Sequence, residues 1–382
     1  MNESGMTGKS RLLAAFNHEK TDRIAWSPLI CGYYTLDLPE PLKGDDLATQ
    51  RAIGCDILER YAITYRPHIP LGVPKTSLWQ IKSDEFKFGN VKARTIWKDG
   101  SLKRHFETPL GTITDAFVID DTSPWMMFPV EHKIKSLEDV AIYQYLIESQ
   151  QYYSTYDYYL DISEEIGDEG VAATIAPITP FETLLEVEIG MSNFHYLLHD
   201  HPREMRELMD LMHRKNLDAC EIVAQSPAEV AIIYENTSTS NMSPSMFPEY
   251  VLGYLNDYAD IFHRSGKWLF VHMCGKLRSI VNEVGQGEYD GVVDIAPPPT
   301  GDLDLAEVKE FLGERMVVMG GIDATTFASL KPEAMKEHVW ILLDRLPSIE
   351  GVILGSGDAV PKGTPLESLK AITEAVKEYS FD

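Results

Sequence analysis

The stretch LFVHMCGKL, residues 269 to 277, sets His272 and Cys274 two positions apart at the end of an apolar run and follows them at once with glycine. On a strand, residues i and i+2 project to the same side. An imidazole nitrogen and a thiolate sulfur are both good zinc ligands, so the pair reads as half of a metal site. The other half must come from elsewhere in the chain. Glu235 ends the run AIIYE, and a carboxylate at the end of a neighbouring parallel strand falls within reach because paired strands run about 5 Å apart. Asp358, in GSGD after the run GVIL, is the competitor.

Each of these residues also has an ordinary reading. A histidine at a strand end is often only hydrogen-bonded, and Glu235 can cap a helix or hold a loop. Asn236 and the following TSTSNMS are natural cap and turn formers. Asp323 precedes ATTF and suits a helix N-cap. The GSGD turn has backbone N–H groups that can cradle a phosphate, although so short a pattern specifies little.

The elements that must position these groups follow from alternation. After about residue 170 short apolar runs take turns with helical patterns: VAATIAPIT, AEVAIIYEN, WLFVHMCG, GVVDIA, MVVMGGID and GVILGSGD are the runs. Between the first three lie the long helical patterns MSNFHYLLHDHPREMRELMDLMHRKNLDACEIVAQ and MFPEYVLGYLNDYADIFHRSG, and LRSIVNEVGQG follows the third. Repeated β-α units of this kind predict an α/β fold, a (β/α)8 TIM barrel whose site lies at the C-terminal strand ends. Glu235, Asn236, His272, Cys274, Asp294, Asp323 and Asp358 all fall at such ends. An open doubly wound sheet is the runner-up, but no G-x-G-x-x-G opens a helix.

The first part differs. After an early strand in RIAWSPLICGYY, the segment from about 75 to 130 alternates apolar and polar residues around KDGS and PLGT. It predicts an antiparallel β-hairpin inserted into one barrel domain spanning 1–382. KSLEDVAIYQYLIES then reads as a helix with Ser136 as N-cap and Glu138 and Asp139 in its first turn.

Composition narrows the partners. Lys and Arg number 34 against 59 Asp and Glu, a formal net charge of -25. Such a surface repels nucleic acid and anionic membranes. No stretch approaches the roughly 18 apolar residues that span a bilayer, and the first residues lack the apolar core of a signal peptide. A soluble, cytoplasmic protein is expected. The four cysteines, Cys31, Cys55, Cys220 and Cys274, are too scattered for a disulfide framework.

HMCG, GVVDIAPP, GGID and the terminal GSGDAVPKGTPLESLKAITEAV resemble the uroporphyrinogen decarboxylase superfamily, and SRLLAAFNHEKTDRIAWSP resembles its N-terminal segment. The resemblance covers most of the chain and implies the (β/α)8 barrel. It divides on activity. Decarboxylases of the superfamily carry an arginine-rich stretch after the first strand for the carboxylates of a tetrapyrrole; here that stretch is SPLICGYY, with neither arginine nor lysine. The other branch comprises corrinoid-linked methyltransferases, in which a His-x-Cys pair and a later cysteine bind zinc. His272 and Cys274 match the pair, but no cysteine follows residue 274, which leaves Glu235 or Asp358 to complete the shell.

Adjacency favours Glu235, because AIIYE and LFVHMC are consecutive strands in a fold where consecutive strands pair. The expected metal ligands are therefore Glu235, His272 and Cys274, and the expected catalytic groups Glu235, His272 and Asp358. Exchanging a thiolate for a carboxylate hardens the ion, and a harder ion suits a departing oxygen. The resemblance then implies a zinc-dependent methyltransferase that moves a methyl group from an aryl methyl ether to the Co(I) corrinoid of a partner protein. The inserted segment also resembles the methyltransferase components of O-demethylating systems. Transfer from methylcorrinoid to a thiol or to tetrahydrofolate is the alternative, and uroporphyrinogen decarboxylation a more distant one. Tyr33, Tyr34, Trp125, Phe181, Tyr234 and Asn236 are the expected contacts for a flat methoxylated ring.

Overall fold

A computed structural model describes residues 5–71, 84–120, 123–312 and 315–381. The chain forms two compact units, one of Met1–Thr64, Tyr156–Ala176 and Val223–Asp382, the other of Tyr65–Thr155 and Pro177–Ile222.

The first unit is built on eight parallel strands, in chain order Ala25–Trp26, Ile57–Ala62, Gly170–Ile175, Val230–Tyr234, Trp268–His272, Gly291–Ile295, Val317–Ile322 and Val352–Ser356. Around the sheet they run first, eighth, seventh, sixth, fifth, fourth, third, second, so each neighbour is the next in sequence and the eighth returns to the first. This is the order of a TIM-barrel-like sheet. The two edges are tied together: Asp56 N donates to Trp26 O at 2.8 Å, and Trp26 N donates to the Asp56 carboxylate at 3.0 Å. Alternate residues pack one interior cluster, among them Ala25, Leu58, Val171, Val230, Ile232, Phe270, Val317 and Ile353. The amphipathic helix Gly8–Phe16 adds Leu12, Ala15 and Phe16 to it.

Local rules explain where the helices depart from the sequence reading. The long pattern beginning at Met191 is two helices, Met191–Asp200 and Pro202–Ala224, because Pro202 cannot continue the first and starts the second. The MFPEYV segment opens with a π-helical turn, Phe247–Val251, before the α-helix Leu252–Arg264.

In the second unit the segment read as a hairpin is a five-stranded antiparallel sheet, Asp84–Phe88, Val91–Lys98, Ser101–Thr108, Gly111–Asp120 and Ser123–Glu131, with the strands in sequence order. Residues 75–83 and 121–122 of the predicted insertion lie outside the described residues. KDGS makes a two-residue turn: Lys98 pairs with Ser101, and Asp99 and Gly100 take positive φ. Helix Leu137–Ser149 begins at Ser136 in a capping box with Asp139. Beneath the sheet Arg104, Asp115, Lys133 and Glu188 form an enclosed charge network. Lys133 Nζ lies 2.8 Å from Asp115 and 2.7 Å from Glu188, and Arg104 pairs with Asp115. No described helix is long and apolar enough to cross a membrane.

Candidate metal centre

The fifth strand ends at His272, and the turn after it carries Cys274. Phe270 belongs to the interior cluster and His272, two residues on, follows it into the same interior, 3% exposed. The glycine after Cys274 answers to packing. A Cβ at Gly275 would lie 2.2 Å from Ser238 Cβ and 2.8 Å from Thr237 O, so the loop after the fourth strand presses directly on this turn. Two hydrogen bonds fix that contact: Thr239 N donates to Lys276 O at 2.9 Å, and Lys276 N donates to Ser238 Oγ at 3.1 Å.

Asp358 arrives from the eighth strand. Its turn is held by the segment after the first strand, where Leu29 N donates to Ser356 Oγ at 2.8 Å and Leu29 O accepts from Val360 N at 3.0 Å. A Cβ at Gly357 would come within 2.7 Å of Ala296 Cα. The glycine thus lets the GSGD turn pass close to the loop after the sixth strand.

His272, Cys274 and Asp358 each offer one ligand atom, and the three atoms lie within 4.8 Å of one another. Burial is graded across them, from His272 enclosed through Cys274 half-buried to Asp358 exposed. Nitrogen, sulfur and oxygen donors from three residues, the last of them exposed, are all of kinds that can bind a zinc ion. The histidine is already oriented. Its Nδ1 lies 2.7 Å from Asp294 Oδ2, which leaves Nε2 for a metal. Asp294 has φ +66°, at the point where the sixth strand slips register against the seventh. Both of its oxygens lie 2.7 Å from Arg60 Nη1, with Arg60 and Asp294 side chains 1% and 0% exposed.

Electrostatics in the metal-free protein follow from this enclosure. Burial alone would raise the Asp294 carboxyl, but the Arg60 charge and the His272 hydrogen bond hold it below the usual range. Burial alone would lower the His272 imidazole, yet Cys274 and Asp294 push it well above its ordinary value. Cys31, just after the first strand, has its thiol pushed up to about 12 by burial, with Asp358 and Arg60 among its charged neighbours. The Tyr234 ring lies 5.2 Å from the His272 ring and stacks on Tyr61 at 5.4 Å and 9°.

Of the other expected site residues, Glu235 is not brought into the cluster. Val230 and Ile232 pack the interior and Tyr234 pairs in register with His272, and Glu235 follows after the strand has ended, outside the group of three ligand atoms. Its carboxyl is fully enclosed, with Tyr289 as an electrostatic neighbour. Asn236 takes the left-handed turn that follows, with φ +48°. Tyr33 is half-buried in the short helix Gly32–Thr35. Tyr34 is buried there, and its hydroxyl is pushed up to about 12 by burial and by Glu367 of the C-terminal helix. Phe181, in the second unit, is a core residue, edge-on to Phe194 at 5.0 Å. Trp125 lies in the strand Ser123–Glu131, and its side chain falls outside the described residues. Asp323 caps the helix Ala324–Ser329, accepting from Thr325 N at 2.8 Å and Thr300 N at 3.1 Å. Arg60, Tyr61 and Cys31 are the members of this neighbourhood that the sequence reading missed.

A TIM-barrel-like sheet carrying a His-Cys-Asp ligand cluster at its C-terminal strand ends defines the class. The chain belongs to the uroporphyrinogen decarboxylase (URO-D) family, which matches residues 127–379. Among solved structures, a methyltransferase from Methanosarcina mazei is similar in fold, with a TM-score of 0.64 and 15% identity over 98% of this chain and 99% of that chain. A search of curated protein sequences gave no match.

Proposed function

We propose that the chain is a methyltransferase of this superfamily that holds zinc through His272, Cys274 and Asp358 and takes a methyl group from an aryl methyl ether. The acceptor in this reading is the Co(I) corrinoid of a partner protein, in line with the sequence resemblance. The observation that carries the reading is the convergence of three ligand atoms within 4.8 Å, with the second histidine nitrogen committed to Asp294. The methyltransferase from Methanosarcina mazei, alike over nearly the whole length of both chains, supports the class.

The partner's Co(I) corrinoid would supply the electron pair that forms the new bond to the methyl carbon, and the electrons of the broken carbon–oxygen bond would leave with the phenolate. Zinc bound by one thiolate, one imidazole and one carboxylate would supply a Lewis acid for that departing oxygen. The chain's own residues do the rest. Asp294 holds His272 in one orientation, and the exposed side at Asp358 leaves an approach for the donor. The stacked rings of Tyr234 and Tyr61 offer a flat apolar wall beside His272. Arg60, enclosed beside the cluster and paired with Asp294, is not disposed to clamp substrate carboxylates. That argues against a polycarboxylate tetrapyrrole, as does the uncharged SPLICGYY.

The test is elemental analysis of the purified protein followed by methylation of cob(I)alamin with a panel of phenyl methyl ethers. About one zinc per chain and zinc-dependent formation of methylcobalamin are expected. Activity confined to methylcobalamin plus a thiol or tetrahydrofolate would reverse the direction, and equal rates after chelation would remove the metal from the mechanism.

A further inference from the structure

The interior of the first unit is apolar over most of its length, yet one fully enclosed ion pair sits against the metal-ligand cluster. Its cationic member, Arg60, comes from the second strand, 234 residues before Asp294. We propose that Arg60 is a positioning residue for the metal ligand His272 and acts through Asp294; the proposal rests on the zinc reading above.

The geometry runs in one line. Arg60 Nη1 lies 2.7 Å from both Asp294 oxygens, and Asp294 Oδ2 lies 2.7 Å from His272 Nδ1. Its other terminal nitrogen, Nη2, faces Ser27 O at 3.5 Å and Met319 Sδ at 3.4 Å, so the sixth strand, the seventh and the residue just after the first all bear on the guanidinium. Two charge-assisted contacts to one carboxylate hold its position, while the hydrogen bond to His272 Nδ1 sets which oxygen faces the ring. Without the guanidinium the carboxylate is no longer anchored, and Oδ2 is no longer held against Nδ1. The imidazole then loses the partner that aims Nε2 at Cys274 and Asp358.

Stability does not account for the pair. Replacing a buried ion pair by apolar side chains of similar volume is often neutral or stabilising, and the apolar layers around this one show that such a filling is compatible with the sheet. What the pair adds is a fixed orientation for one metal ligand. Partners one step removed from a metal are typically worth about 10- to 100-fold in metal affinity.

The experiment measures zinc dissociation constants by competition with a chromophoric chelator for the wild type, Arg60→Lys, Arg60→Met and Arg60→Met/Asp294→Asn. Nitrogen NMR of the His272 ring in the zinc-loaded proteins and melting temperatures accompany it. Asp294 is the direct partner of the ligand and Arg60 stands one step further out, so Arg60→Met is expected to bind zinc about 10-fold more weakly, the low end of that range, with the Nδ1–H signal shifted toward that of a weaker hydrogen bond. Arg60→Lys should recover part of both effects. A purely structural role would move the melting temperature and leave zinc affinity and the Nδ1 signal in place. If Arg60→Met fails to fold, the double variant, which removes both charges together, is the folded comparison, and the same loss of zinc affinity is expected. Wild-type affinity in any folded variant lacking the guanidinium overturns the proposal while leaving the zinc site intact. A wild-type protein that binds no zinc overturns the zinc reading and this proposal with it.

Discussion

Replacing Asp358 by asparagine separates the two acidic candidates for the third ligand. The side chain keeps its shape and can still accept the hydrogen bond from Ala359 N, 2.6 Å away, so the turn should survive the change. What is lost is one anionic donor of three. Zinc binding by small protein sites is worth about 10–16 kcal/mol, which over four coordination positions is about 3 kcal/mol each, or about 100-fold in affinity. Asp358 is exposed, so water replaces it readily and the lower end of that range applies. Asp358→Asn is therefore expected to weaken zinc about 30- to 100-fold. Glu235→Gln acts outside the cluster and should leave zinc within a few-fold of wild type, its effect falling on stability by about 1–3 kcal/mol because an enclosed carboxylate is disturbed. Competition titration with a chelator and thermal melts measure both. Unchanged zinc binding in Asp358→Asn together with its loss in Glu235→Gln would refute the choice of Asp358 made from the clustered ligand atoms.

Cys274→Ala should lose most of its zinc while keeping its far-ultraviolet circular dichroism, since the sheet is packed by apolar layers independent of the metal. Gly275→Ala should cost about 1–3 kcal/mol and weaken zinc, because its Cβ would press on Ser238 and Thr237 and shift the neighbouring Cys274; melting and metal titration check it. Gly253→Ala, exposed in the helix Leu252–Arg264 with no atom within 4 Å of the new Cβ, should raise stability by about 0.5–1 kcal/mol in a denaturant titration. Asp115→Asn should destabilise the second unit by about 3–5 kcal/mol by leaving Arg104 and Lys133 short of an anion. In the wild type, burial would raise the Asp115 carboxyl, but Lys133 and Arg104 lower it overall, so its contribution is complete above the ordinary aspartate range and fades as pH falls through the lowered value. The variant's acid unfolding limb should accordingly be shallower, and identical limbs would count against the network.

Much of this was legible locally. His272 and Cys274, two apart in LFVHMC, do reach one cluster, but the strand ends at His272 and the turn after it carries Cys274. Ser136 and Asp139 announced a helix start, Asp323 a cap, and KDGS a turn, each by chemistry confined to a few residues. The order of β-α units carried the parallel sheet in the same way. The second strand, ILERYA, escaped notice because Glu59 and Arg60 interrupt its apolar pattern. The charge on Arg60 is tolerable only beside Asp294, 234 residues on. Likewise Phe181 and Tyr234 are both simply aromatic in sequence, and only packing makes one a core residue and the other a neighbour of His272.

The choice between Glu235 and Asp358 shows where local reasoning stops. The sequence determined which side-chain types stand at strand ends, and adjacency correctly paired the fourth strand with the fifth. Adjacency does not say on which residue the strand's inward face ends. The fourth strand ends at Tyr234, packed against the interior cluster, and Glu235 follows outside the group of three ligand atoms. Asp358 lies three strands from the fifth along the sheet, so its approach to Cys274 depends on curvature that brings non-neighbouring strand ends together. Curvature is a property of the whole packed sheet, set by every strand's twist and by the interior side chains, and is therefore decided only by the tertiary structure.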